Sequence, residues 1–425
     1  MTDARHHRAT FFRQSGWLMF ANIAGGMMMW AVHFLNKFIE EGEYGSFGAL
    51  LAVVMLLPTI PLQMVIAQQT AQAVAINAPR KATGAVQLVL AVTFVLWLAG
   101  AILVLLFQDR ILARWQMTNP LGLWITLPIV LLTLWMPVFW GVLQGQQNFF
   151  WLGWSAMSSG LGRIVIAAVA VLLLNGSSAG MMAGVLFGVA LAAGIAAWHT
   201  RSVWLMKAEA FDWRALASEM LPLGLGFLGF QVLLTADTIL VKGYFEKSIV
   251  DFYVSAGTLS RALMWLVLPL ASVMFPRIVH SAAKSEKTDL MKWVLLGTGL
   301  LALTGVVGLA VLGPWVVRII YKPEYVEVAS AVLPWYAGAM VPLAMANVLL
   351  NNLFASPRSK WAPAVCIFGL AAAYIFAVTQ YHDSLLTVLR VLGVFSLALL
   401  VCAVWFTWGS KATKRLAASR LSVGA

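Results

Sequence analysis

The sequence predicts an all-α integral membrane protein with about twelve transmembrane helices in two six-helix lobes. Three observations carry that prediction. Of the 425 residues, 61% are hydrophobic and 10% charged, at a mean hydropathy of +0.87; soluble domains carry about 25% charged residues, so water cannot be the main solvent here. Apolar stretches long enough to span a bilayer recur along the whole chain. None shows the short alternating pattern of an outer-membrane barrel strand.

The expected spans are 15–37, 45–68, 83–107, 121–147, 150–174, 178–200, 216–243, 250–275, 290–313, 325–354, 361–381 and 384–408. They divide the chain into a cytoplasmic N-terminal tail (1–14), an N-lobe (15–200), a cytoplasmic linker (201–215), a C-lobe (216–408) and a basic cytoplasmic tail (409–425). The linker region, RSVWLMKAEAFDWRALA, mixes charged and apolar residues and is expected to form an amphipathic helix on the membrane surface. No cleavable signal peptide is apparent: the first apolar stretch lacks a small-residue cleavage site.

The net charge of +12 would suggest nucleic acid in a soluble protein. Here orientation accounts for it. With the N-terminus inside, 18 of the 28 Lys and Arg residues fall in cytoplasmic segments and 7 outside, and Arg163, Arg261 and Arg390 fall within spans. That asymmetry predicts a multi-pass protein of the inner membrane with both termini cytoplasmic. Nucleic acid is not an expected partner.

The two halves carry parallel landmarks. Tyr44 precedes Pro61 by 17 residues in span 2, and Tyr253 precedes Pro269 by 16 in span 8. The turn VLQGQQNFFWLGW after span 4 parallels LLNNLFASPRSKW after span 10. Both members of each pair run the same way across the membrane, which predicts a parallel repeat with a binding site between the lobes.

No enzyme motif is present: no Walker loop, HExxH, GxSxG or paired-carboxylate arrangement. The loops are short, so the chain is not expected to be an enzyme or to hold a metal or cofactor. Cys366 and Cys402 lie in apolar runs without a CxxC or Cys/His pattern, and read as packing residues.

The informative residues are polar groups inside spans, which usually face a cavity or a partner. Asp237 in span 7 and Arg261 in span 8 each lie about 10–14 Å from the outer hairpin by helical rise. They can pair and pin two helices, or line a site. Arg163 in span 5 is ~20 Å from its inner end and has no evident acidic partner, which suits a cationic cavity. A guanidinium matches phosphate oxygens with two parallel bonds. Arg390 in span 12 can line the site or snorkel to the surface. His33 and Asn36 in span 1, with Gln68 and Gln69 in span 2, are further cavity candidates, or interhelical glue. Glu219 and Lys242 read as interfacial. Pro58, Pro61 and Pro269 are expected to kink spans 2 and 8, which would suit a gate. Gly25-Gly26 and Gly224, Gly226 and Gly229 suggest close helix contact or bending. Tryptophans near span ends, such as Trp17, Trp151, Trp293, Trp361 and Trp408, read as interface anchors.

Three segments carry a family likeness: EEGEYGSFGALLAVVMLLPTIPLQMVIAQQTA, VLQGQQNFFWLGWSAMSSGLGRIVIA, and DTILVKGYFEKSIVDFYVSAGTLSRALMWLVLPLASVMFPRIV. They resemble the polysaccharide biosynthesis (O-antigen, Wzx-like) flippases of the multidrug/oligosaccharidyl-lipid/polysaccharide (MOP) exporter superfamily. The resemblance implies two lobes alternately open to either face, and transport of undecaprenyl-diphosphate-linked oligosaccharide for lipopolysaccharide or other surface polysaccharide. It implies a central cation-rich cavity and no cofactor, with energy from a proton gradient, a sodium gradient or the membrane potential. It further implies membrane lipids, a polysaccharide polymerase and glycosyltransferases as partners. One departure is Gln68-Gln69, where many members have a basic residue after span 2. The competing readings are a cation-coupled multidrug exporter of the same superfamily, which favours an acidic cavity, and a membrane-bound glycan synthase or ligase, which favours a large outer loop.

Overall fold

The computed structural model describes residues 2–209, 211–264, 290–355 and 360–409. They form helices and connecting turns, with no strand among the described residues. Helix α1 runs Thr2–Ala31 and tightens into a 3-10 turn over Val32–Phe38. Then follow α2 (Glu43–Met55), α3 (Thr59–Ala75), α4 (Pro79–Leu106), the short α5 (Gln108–Arg114), α6 (Leu121–Gly145), α7 (Phe149–Leu172) and α8 (Ser177–Trp204). Next come α9 (Trp213–Tyr244), α10 (helical over 247–264), α11 (Leu290–Ile320), α12 (Tyr325–Ala355), α13 (Trp361–Gln380) and α14 (Leu385–Val404). A π turn at Trp405–Gly409 ends α14.

Among the described residues, 11 helical segments are long and apolar enough to cross a membrane, from Gly16–Phe38 to Leu385–Gly409. They fall where the apolar stretches predicted them. Helix α10 begins the span expected at 250–275; the rest of that span, with Pro269, lies outside the described residues. So does most of the 409–425 tail.

Span 2 is one apolar segment, Glu43–Ala75, broken between α2 and α3. Pro58, which lacks an N–H, stands at the break with φ −78° and ψ 72°. Pro61 lies in the first turn of α3, where helical N–H groups have no partner in any case, and α3 continues through it. The two prolines therefore make one interruption.

Among its described residues the 201–215 linker forms no helix of its own between α8 and α9. Helix α8 continues to Trp204, and the described residues from Leu205 to Asp212 are irregular. The segment satisfies its backbone by other means. Gln87 donates to the carbonyls of Trp204 and Met206, both at 2.9 Å, and the Glu209 amide donates to Arg80 O. Asp212 caps α9 by accepting the amides of Arg214 and Ala215. Each of these bonds replaces one that a helix would have made within itself.

The chain divides into two compact units. The first comprises Met1–Gly224 and Glu246–Asp251, and the second Leu225–Phe245 and Phe252–Ala425. In the first, α7 packs between α1 and α8 through glycines. A Cβ on Gly25 would lie 3.2 Å from Met157 Cα, one on Gly160 2.9 Å from Met28 Cβ, and one on Gly184 2.6 Å from Ala167 Cβ. Lipid tails are as apolar as the side chains they meet, so helices in a bilayer associate by close packing of such small residues. In the second unit, α12 packs against α11 and α14. There, Gly226 lies beneath the Phe354 ring, a Cβ being 2.8 Å from Cε2.

Candidate functional site

The second unit buries an ion pair among tyrosines. Asp237 on α9 is fully buried, and Arg261 on α10 reaches its Oδ1 at 2.8 Å and Oδ2 at 3.0 Å through Nη2. Arg261 also donates to Thr238 Oγ1 at 2.8 Å and, through Nε, to Leu234 O at 2.9 Å. Tyr253 donates to Asp237 Oδ2 at 2.8 Å, and the Tyr336 hydroxyl from α12 joins the same oxygen. Gly257 makes room for Tyr336: a Cβ there would lie 2.9 Å from its hydroxyl. The Arg261 guanidinium lies 5.3 Å from the Tyr336 ring centroid. Tyr374 on α13 is buried within electrostatic reach of Asp237. Every strong charge here has an opposite partner, so the cluster is electrically closed and ties α9, α10 and α12 together.

The first unit holds a second polar cluster. The Tyr44 hydroxyl on α2 sits 2.8 Å from Nδ1 of His33 in the 3-10 turn. The His33 ring packs edge-on against Tyr44 and Phe47. Asn36 is fully buried in the same turn. Arg163 on α7 lies within electrostatic reach of His33 and Tyr44. Its Nε and Nη2 are buried and have no hydrogen-bond partner among the described residues. The backbone of α7 is fixed there, since a Cβ on Gly188 of α8 would lie 3.0 Å from Arg163 Cβ. Burying a guanidinium with unmade bonds is costly, so the arrangement suits an anion from outside the chain.

The remaining candidates stand apart. Arg390 is exposed on α14, five residues after the helix starts, where its head can reach the surface. Gln68 is exposed and Gln69 half-buried on α3; Gln63 of the same helix bonds across to α6, its amide donating to Gln144 at 3.0 Å. Lys242, expected at an interface, is instead buried with 1% exposure.

Two features escaped the sequence reading. Six tyrosines, among them Tyr44, Tyr253, Tyr336 and Tyr374, are fully buried, out of eight in the chain; for Tyr336 and Tyr374, a position inside an apolar span rather than at its end was the available signal. The second is Asp251, whose carboxylate accepts the amides of Gly42 at 2.7 Å and Gly45 at 2.6 Å and so caps α2. Glu43 in turn accepts the Ser178 amide and hydroxyl at the start of α8. Among the described residues, no three His, Cys, Asp or Glu side chains converge as metal ligands.

Among the described residues the fold is all-helical, with buried charges inside segments long and apolar enough to cross a membrane, and so defines a multi-pass membrane protein. Its likeness to solved structures lies with that class. A MATE-family multidrug transporter of the MOP superfamily in an inward-facing conformation matches at a TM-score of 0.70 and 13% identity, over 92% of this chain and 96% of the other. A lipid II flippase MurJ in an inward closed conformation matches at 0.68 and 13%, over 94% and 88%. A MATE transporter of Vibrio cholerae matches at 0.63 and 12%, over 98% and 99%. Residues 77–420 match the family model described as lipid II flippase MurJ, and the chain belongs to that family. Uncharacterized proteins of Mycobacterium bovis and Mycobacterium tuberculosis are 31% identical over 123 residues, a match covering 28% of this chain and 26% of theirs.

Proposed function

We propose that this protein is a flippase for an undecaprenyl-diphosphate-linked glycan, which it carries across the inner membrane by alternating access. The observation that carries the reading is Arg163, a buried guanidinium with unused donors inside a membrane span, in a chain of the lipid II flippase family. A diphosphate supplies the oxygens such a group lacks. His33, Asn36 and Tyr44 extend the same polar surface. The family's name favours a lipid II-type head group; a surface-polysaccharide oligosaccharide such as O-antigen shares the diphosphate and differs in the sugar. The basic bias of the inside segments supports cytoplasmic termini, and a proton gradient, a sodium gradient or the membrane potential would drive the cycle. Glycosyltransferases and a polymerase would act before and after it.

The drug-exporter reading needs a free negative charge for cationic compounds. Asp237 does not offer one, because Arg261 and two tyrosines occupy its oxygens.

The test is reconstitution in liposomes with fluorescent lipid II, a fluorescent undecaprenyl-diphosphate oligosaccharide and a cationic dye, each followed by its accessibility to a membrane-impermeant quencher. Transbilayer movement of either glycolipid, lost in Arg163→Ala, is expected, and the preferred head group names the substrate. Dye transport without glycolipid movement would overturn the proposal.

A further inference from the structure

The chain has two cysteines in 425 residues, and the fold brings them together. Cys366 on α13 and Cys402 on α14 are 36 positions apart, and their sulfurs lie 3.2 Å from one another. Both are free thiols, Cys366 exposed and Cys402 half-buried. The surface around them is apolar: Val365, Phe368, Val401 and Trp405 are 40–64% exposed, on segments long and apolar enough to span a bilayer. The pair therefore faces lipid rather than water.

We propose that Cys366 and Cys402 form a modification site, a dithiol oxidised to an intramolecular disulfide by lipid-soluble quinones. In the reaction both S–H bonds break and one S–S bond forms; the two electrons and two protons released reduce the quinone to its hydroquinone. A covalent bond of about 2.05 Å requires the sulfurs to approach by roughly 1 Å, within the range of side-chain rotation. The location selects the oxidant. Water-soluble disulfides such as oxidised glutathione are excluded from the lipid that the thiols face, whereas a quinone dissolves in it. The product staples α13 to α14 in the second unit. This site is independent of the flippase reading and of the polar clusters.

The experiment uses the full chain in phospholipid vesicles, treated with a short-chain benzoquinone or, in parallel, with oxidised glutathione, then alkylated and analysed by peptide mass without reduction. The expected result is paired loss of both alkylatable thiols with quinone, a peptide linking Cys366 to Cys402, and one hydroquinone formed per chain. Glutathione should leave both thiols open. In Cys366→Ser and Cys402→Ser the remaining thiol should stay alkylatable and hydroquinone should not form. Thiols unchanged by quinone, a stable quinone adduct, a disulfide between two copies, or equal oxidation by glutathione would each overturn the proposal.

Discussion

The hydroxyl of Tyr253 donates to Asp237 at 2.8 Å, and at the corresponding place in the first half the hydroxyl of Tyr44 sits 2.8 Å from His33 Nδ1. Each tyrosine opens its repeat's second span and holds an ionisable side chain of the span before it. The halves then diverge. In the second unit Arg261 neutralises the acid locally. In the first, Nε and Nη2 of Arg163 have no hydrogen-bond partner among the described residues. The same scaffold thus contains one closed charge cluster and one open one, and the two arginines should respond differently to mutation.

Arg261→Ala should be strongly destabilising. It leaves Asp237 fully buried with the hydroxyls of Tyr253 and Tyr336 as its partners among the described residues, and removing one partner of a buried pair costs about 3–5 kcal/mol. The double variant Asp237→Asn/Arg261→Met removes both charges and should recover much of the loss. Thermal aggregation of the detergent-solubilised protein reads both effects. Equal loss in single and double variants would show that packing, not charge, dominates at this cluster.

Arg163→Met should behave in the opposite way. Its unused N–H groups cost about 1–3 kcal/mol in the folded state, so an apolar side chain of similar length should leave thermal stability unchanged or raised. Glycolipid movement in liposomes should fall at least about tenfold, the loss of about 1.4 kcal/mol of anion binding. A stability loss matching that of Arg261→Ala would place Arg163 in the scaffold rather than in the anion site.

The helices were legible because composition and apolar run length decide them, and eleven lie where the sequence placed them. The Asp237–Arg261 pair was legible as one of two readings, since similar depth on adjacent antiparallel spans lets the two charges meet. Tyr336 and Tyr374 were not. Helical periodicity gives depth, but the face each helix presents depends on packing partners from distant segments. The linker misled for a related reason: mixed charged and apolar residues satisfy an amphipathic pattern, while Gln87 and Asp212 hold the backbone in an irregular path. Cys366 and Cys402 read as separate packing residues because nothing in their spacing shows that α13 and α14 place them side by side.

Gly160→Val tests the close packing of α7. A Cβ there already falls 2.9 Å from Met28 Cβ and 3.0 Å from Gly25 C, so two further methyls must push α1 from α7. Overpacking of this kind costs about 1–3 kcal/mol, and the displacement should also disturb Arg163 one turn along α7. Lower thermal stability together with slower glycolipid movement is expected. Gly194→Ala provides the contrast, because a Cβ at Gly194 meets nothing within 4 Å, and both readouts should stay at wild-type levels.

Asp251 supplies the last prediction. Its carboxylate is fully buried and accepts two amides at the start of α2, where the helix dipole also favours negative charge. Gly42 holds φ +82° at that cap, and α10 thereby ties its own first turn to α2. Hydrogen bonds to charged groups contribute about 1.5–3 kcal/mol each. Asp251→Ala should therefore lose several kcal/mol, and hydrogen exchange at the Gly42 and Gly45 amides should accelerate. Asp251→Asn keeps one acceptor oxygen and no charge, and should fall between wild type and alanine. If α2 amide protection is unchanged in Asp251→Ala, the carboxylate is not what holds the start of that helix.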